Sequence, residues 1–103
     1  MCNVRIFILL VPVIWAGCMS IDQIAPPVTP GMARHGSAAT LQRGRELYTG
    51  RCTACHTPQP VAKYGAAKWG EILVEMSDEA KLSKTDEAAV VAYVLAARQV
   101  TAP

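Results

Sequence analysis

At 103 residues the chain has room for one small domain, which excludes multi-domain enzymes, large α/β enzymes and barrels of many strands. Its composition is 51% hydrophobic, 17% charged and 6% aromatic, too apolar for a disordered polypeptide. Ten Lys plus Arg against eight Asp plus Glu give a net charge of +2, too balanced for a nucleic-acid binder or a polybasic tail.

Arg5 is followed by an uncharged run from Ile6 to Trp15, which ends on the small residues Ala16 and Gly17 and then Cys18. A basic start, a short apolar stretch and small residues read as a secretory signal over residues 1–17. The run is shorter than the ~20 apolar residues that span a bilayer, and Pro12 interrupts it. No polar residue alternates with it, so it has no outward face for a core helix. Trp15-Ala16-Gly17-Cys18 resembles the bacterial lipobox, although Trp15 stands where leucine is usual. The resemblance implies cleavage before Cys18, attachment of more than one acyl chain to it, and a place on the periplasmic side of the envelope. The alternatives are ordinary export or a retained anchor. Met19 stands where Asp would be the usual signal for inner-membrane retention, which favours the outer membrane.

Residues 18–37 contain Pro26, Pro27, Pro30, Gly31 and Gly36 with no helical or strand period, and read as a flexible tether. Residues 38–103 remain for the folded part. A domain this small needs a staple such as a disulfide, a metal or a cofactor.

A helix is predicted over Thr40 to Thr49, with Leu41, Gly44 and Tyr48 on one face. A second is predicted from Ala66 to Met76, with Trp69, Ile72, Leu73 and Met76 as its apolar stripe and Glu71 and Glu75 opposite. A third runs from Lys84 to Arg98 behind a capping-box-like Ser83-x-x-Asp86, with Val90, Tyr93, Val94 and Ala97 in register. Glycine inside a helix costs about 1 kcal/mol relative to alanine, so Gly44 points to a close helix crossing, and Tyr93 is the expected partner. No strand-like run follows residue 18, and the predicted fold is all-α.

Of the four cysteines, Cys2 leaves with the signal and Cys18 takes the lipid. The other two form Cys52-Thr53-Ala54-Cys55-His56, a C-x-x-C-H segment. Structural zinc needs four ligands, and the sole other histidine is His35, in the tether. A thioredoxin-like pair needs a βαβ setting, which is missing. A disulfide between Cys52 and Cys55 staples almost nothing and leaves His56 without a role. Two thiols at this spacing match the two vinyl groups of a haem, and the adjacent histidine reaches its iron. This selects one covalent haem c held by Cys52, Cys55 and His56, with the cofactor as part of the core.

Gly44-Arg-Glu-Leu-Tyr48 ahead of the motif, and Tyr93-Val94-Leu95 in the last helix, resemble the crossing terminal helices of class I cytochromes c. With the C-x-x-C-H, the resemblance runs from Gly44 to the end of the last helix. It implies a cytochrome c-like fold of about three helices around the haem. The step from His56 to Met76 is shorter than in mitochondrial-type members and resembles that of compact monohaem ones.

The sixth iron position needs Met, His or nothing, and the choice sets the function. Met76 is the sole Met or His after the motif and is the expected ligand; His35, Met32 and Met19 are weaker candidates, and an open or water-filled position is the alternative. The resemblance implies a proline carbonyl accepting from His56, with Pro60 slightly preferred to Pro58. Arg51, Lys63 and Tyr64 are candidates for the propionates, and Trp69 either stacks on the haem or fills the core.

The expected function is one-electron transfer with both axial ligands retained, so the chain is a carrier and not an enzyme. Its partners are redox proteins docking through a small, weak interface and, through Cys18, the membrane; no nucleic acid or small-molecule substrate is expected. Three readings compete: a ligand-binding or sensory haem protein with an open iron, an electron-delivering subunit of a larger oxidoreductase, and a haem-free envelope lipoprotein, which the motif argues against.

Overall fold

The computed structural model describes residues 20–53 and 58–101. The elements are α1 (Ile21–Ile24), a 3₁₀ helix at Pro30–His35, α2 (Ala38–Thr49), a 3₁₀ turn at Arg51–Thr53, α3 (Ala66–Glu79) and α4 (Lys84–Thr101). No strand occurs among the described residues, in line with the all-α expectation. The residues assigned to the signal lie outside the described ones.

Each long helix starts or stops where its local chemistry directs. Ser37 caps α2, its Oγ accepting the Thr40 N–H at 3.1 Å. Ser83 caps α4 by accepting the Asp86 N–H at 3.1 Å. The carboxylate of Asp86 does not return to the cap; it takes two hydrogen bonds from Arg43 of α2, at 3.2 and 3.0 Å. At the end of α3 the Leu82 N–H reaches the Ser77 carbonyl at 2.9 Å and the Lys81 N–H reaches that of Asp78 at 3.1 Å. This is the Schellman arrangement, with Lys81 at φ 56° in the left-handed position that glycine usually takes.

The core forms where α2 crosses α4. A Cβ built on Gly44 would lie 2.1 Å from the Ala89 carbonyl oxygen and 2.6 Å from Tyr93 Cβ. Only a residue without a side chain permits this approach, and Tyr93 is the partner expected from the sequence. Around the crossing Leu41, Leu47, Tyr48, Val90, Tyr93 and Val94 are buried. Helix α3 lies against α4 and buries Trp69, Leu73 and Ser77. The predicted stripe is therefore rotated: Ile72 and Met76 are only half-buried.

The expectation of a flexible tether up to residue 37 is corrected. Ile24, Ala25 and Met32 are buried in the core, and hydrogen bonds fix the chain between them. Tyr93 Oη donates to the Pro26 carbonyl at 2.6 Å, Arg45 Nε to that of Ala25 at 3.0 Å, and the Val61 N–H to that of Ile24 at 2.9 Å. His35 Nε2 lies 2.9 Å from Gln99 Oε1 near the far end of α4. Residues 20–36 are a strap. It holds by tertiary contacts, so its lack of periodicity said nothing about its order.

Candidate functional site

Helix α2 delivers the cysteine motif. It ends at Thr49, and the 3₁₀ turn that follows carries Cys52, which is 7% exposed. Burial pushes the Cys52 thiol up, and the neighbouring Arg51 charge opposes this. Cys55 and His56 lie outside the described residues. Arg51 turns the other way: its Nη2 donates to the Ala80 carbonyl at 2.6 Å. A cation at a helix C-terminus is favoured by the helix dipole, and here it ties the entry of the motif to the end of α3.

The chain leaving the motif is pinned residue by residue. Tyr48 Oη donates to the Gln59 carbonyl. The Pro60 carbonyl accepts the Lys63 N–H at 2.9 Å, closing a turn. Trp69 Nε1 donates to the Val61 carbonyl at 2.8 Å. Pro58, Gln59 and Pro60 are half-buried. Burial raises the Tyr48 phenol well above its ordinary value, with smaller contributions from Cys52 and Tyr93.

Met76 sits one helical turn before the carbonyl that Arg51 grips. It is half-buried and is not part of the buried apolar cluster. The next residue, Ser77, is buried, and its Oγ has no hydrogen-bond partner among the described residues. Ser77 opens on a cleft of about 310 Å³ between α3 and the start of α4, lined also by Val74, Asp78, Leu82 and Glu87. The other sixth-ligand candidates are placed differently. Met32 is fully buried in the core, His35 is held at Gln99, and Met19 lies outside the described residues.

Trp69 is a core residue. It is 1% exposed, with Tyr48 and Tyr64 edge-on to it at ring-centre distances of 6.1 and 5.2 Å. Of the three residues considered for the propionates, Arg51 is held at Ala80 and Lys63 Nζ at Gln59 Oε1 (2.7 Å), whereas Tyr64 is held through its backbone carbonyl, which accepts from Arg98 Nε at 2.9 Å. Among the described residues no three His, Cys, Asp or Glu side chains gather as a metal-holding group, and no helix is long and apolar enough to cross a membrane. Three features escaped the sequence reading: the Arg51 bridge to Ala80, the role of Tyr48 as a clamp, and the strap. The strap carried one legible sign, Ser20-x-x-Gln23. It forms a full capping box, with Ser20 N–H to Gln23 Oε1 at 2.8 Å and Gln23 N–H to Ser20 Oγ at 3.3 Å.

The chain matches no protein-family model, no curated protein and no solved structure.

Proposed function

We propose that this chain is a one-electron carrier of the small cytochrome c kind, in which Cys52 and Cys55 would hold one haem covalently and His56 and Met76 would ligate its iron. The observation that carries the reading is the Arg51–Ala80 hydrogen bond, which brings the last turns of α3 beside the start of the motif. Met76 belongs to those turns and is not consumed by core packing, whereas Met32 and His35 are already engaged. The donor set fits the group: two thiols for covalent attachment, an imidazole and a thioether for iron. When bound, the haem supplies a single redox centre, and a thioether ligand raises its potential relative to a second imidazole.

The chain's own residues do the rest. Cys52 is held in a buried turn. Tyr48 and Val61 fix the segment that follows the motif, where a proline carbonyl would orient the His56 ring and raise its basicity. Nothing in this arrangement makes or breaks a substrate bond. With the lipobox-like segment, the reading puts the carrier on the periplasmic side of the envelope, anchored at Cys18.

The test is the oxidised and reduced absorption spectrum of protein made with a c-type maturation system. A low-spin c-type spectrum with the ferric thioether-to-iron charge-transfer band is expected, and Met76→Ala removes that band. A high-spin spectrum that responds to carbon monoxide or cyanide would replace electron carriage by ligand binding. Protein without haem would overturn the reading.

A further inference from the structure

We infer that the folded domain lies directly on the bilayer, with the α1 end and the neighbouring loop 58–63 turned toward it. The inference rests on acylation of Cys18 and goes beyond it by fixing where the domain sits. The described part of the domain starts at Ser20, whose side chain and N–H both close the capping box with Gln23. Two residue steps separate Ser20 from Cys18, a reach of about 7 Å at full extension. A headgroup layer is itself roughly 5–8 Å deep, so an acylated Cys18 brings Ser20 to the membrane surface. The proline-rich segment is not a spacer. The carbonyls of Ile24, Ala25 and Pro26 are all bonded to the domain, and Met32 is buried in it.

The surface presented there suits a lipid headgroup layer. Ile21 is 46% exposed, one of three large hydrophobic side chains so placed among the described residues. The adjacent Asp22 carboxylate is paired with Arg45 Nη2 at 2.8 Å, which offsets its repulsion from anionic lipids. Helix α1 rises about 1.5 Å per residue, and the carbonyl of its last residue, Ile24, accepts the Val61 N–H. Val61 is thus kept within roughly 20 Å of the Cys18 α-carbon. Helix α3 starts beside this loop, with Trp69 bonded to Val61, and carries Glu79 about 15 Å beyond Trp69.

The experiment uses full-length acylated, reduced protein on nanodiscs of phosphatidylethanolamine and phosphatidylglycerol containing a headgroup gadolinium-chelate lipid. Nuclear relaxation of the backbone amides is the readout, and intact mass establishes acylation separately. Residues 20–25 and 61–63 are expected to relax several-fold faster than residues 79–84. A 20-residue Gly/Ser insertion between Met19 and Ser20 is expected to level the two groups. Equal relaxation in the acylated chain without the insertion overturns the surface orientation and leaves the anchor intact. A mass without acyl chains overturns the anchor and the inference with it.

Discussion

Gly44→Ala tests the central packing claim, because two principles predict opposite signs. Alanine is the better helix former by about 1 kcal/mol, so an exposed Gly44 would give a stabilised variant. In the structure the new Cβ would stand 2.1 Å from the Ala89 carbonyl oxygen and 2.6 Å from Tyr93 Cβ. Neither atom is the end of a flexible side chain, so the helices themselves must part. Restoring an ordinary contact takes on the order of 1 Å, and a gap of that size forfeits a quarter to a half of a van der Waals well. Tyr48, Leu47, Val90 and Tyr93 all pack at the crossing, and full burial of such side chains is worth about 1.5–3 kcal/mol each. Losing part of this across four residues, less the gain in helix propensity, leaves a net destabilisation of about 2–3 kcal/mol. For a domain of this size that lowers Tm by roughly 10–20 °C. Thermal unfolding of the full chain followed by far-ultraviolet circular dichroism reads it. An unchanged or raised Tm would refute the close crossing.

Tyr93→Phe removes the donor to the Pro26 carbonyl while keeping the ring; we expect a loss of about 1–3 kcal/mol and faster proteolysis between residues 26 and 36, scored by mass spectrometry of timed digests. Burial pushes the Tyr93 phenol up to about 12 from 10.0, so its neutral form contributes stability that is complete below pH 10 and lost as pH rises toward 12; Tyr93→Phe therefore flattens alkaline unfolding. Arg43 holds the Asp86 carboxyl below its ordinary value of 3.8, chiefly by hydrogen bonding. The stability from this pair is present above pH 3.8 and fades as pH falls through the lowered value, so wild type and Arg43→Gln should converge in acid denaturation. Cys52→Ala combined with Cys55→Ala is expected to give a chain with little cooperative melting by calorimetry; an unaltered melt would show that the domain needs no covalent cofactor in its core.

The helices and the crossing were legible because their signals are local. Gly44 opposite Tyr93 followed from the cost of a glycine inside a helix, and Ser37 and Ser83 cap α2 and α4 where they stand. The stripe of α3 was read one position off, with Met76 in place of Ser77, because periodicity does not say which flank of an apolar face a neighbour covers. The strap was missed for a different reason. Ile24 and Met32 have no periodic companions, and their burial depends on Tyr93, Arg45 and Val61, which come from three distant parts of the chain. The candidate site stood out in sequence through C-x-x-C-H and Met76. The Arg51 bridge to Ala80 and the Tyr48 clamp on Gln59 are tertiary contacts with no spacing of their own.

The strap also dictates the order in which the fold is completed. Its contacts with α4, Pro26 to Tyr93 and His35 to Gln99, join residues 67 and 64 positions apart. The strap cannot close until Tyr93 and Gln99 have emerged from whatever delivers the chain. Contacts of such sequence separation form late, and α4, which supplies half of the Gly44 crossing, arrives last as well. During that interval Cys52, buried in the finished molecule, stands on an open chain. Any enzyme that must reach the motif therefore has a window before the strap and α4 close on each other.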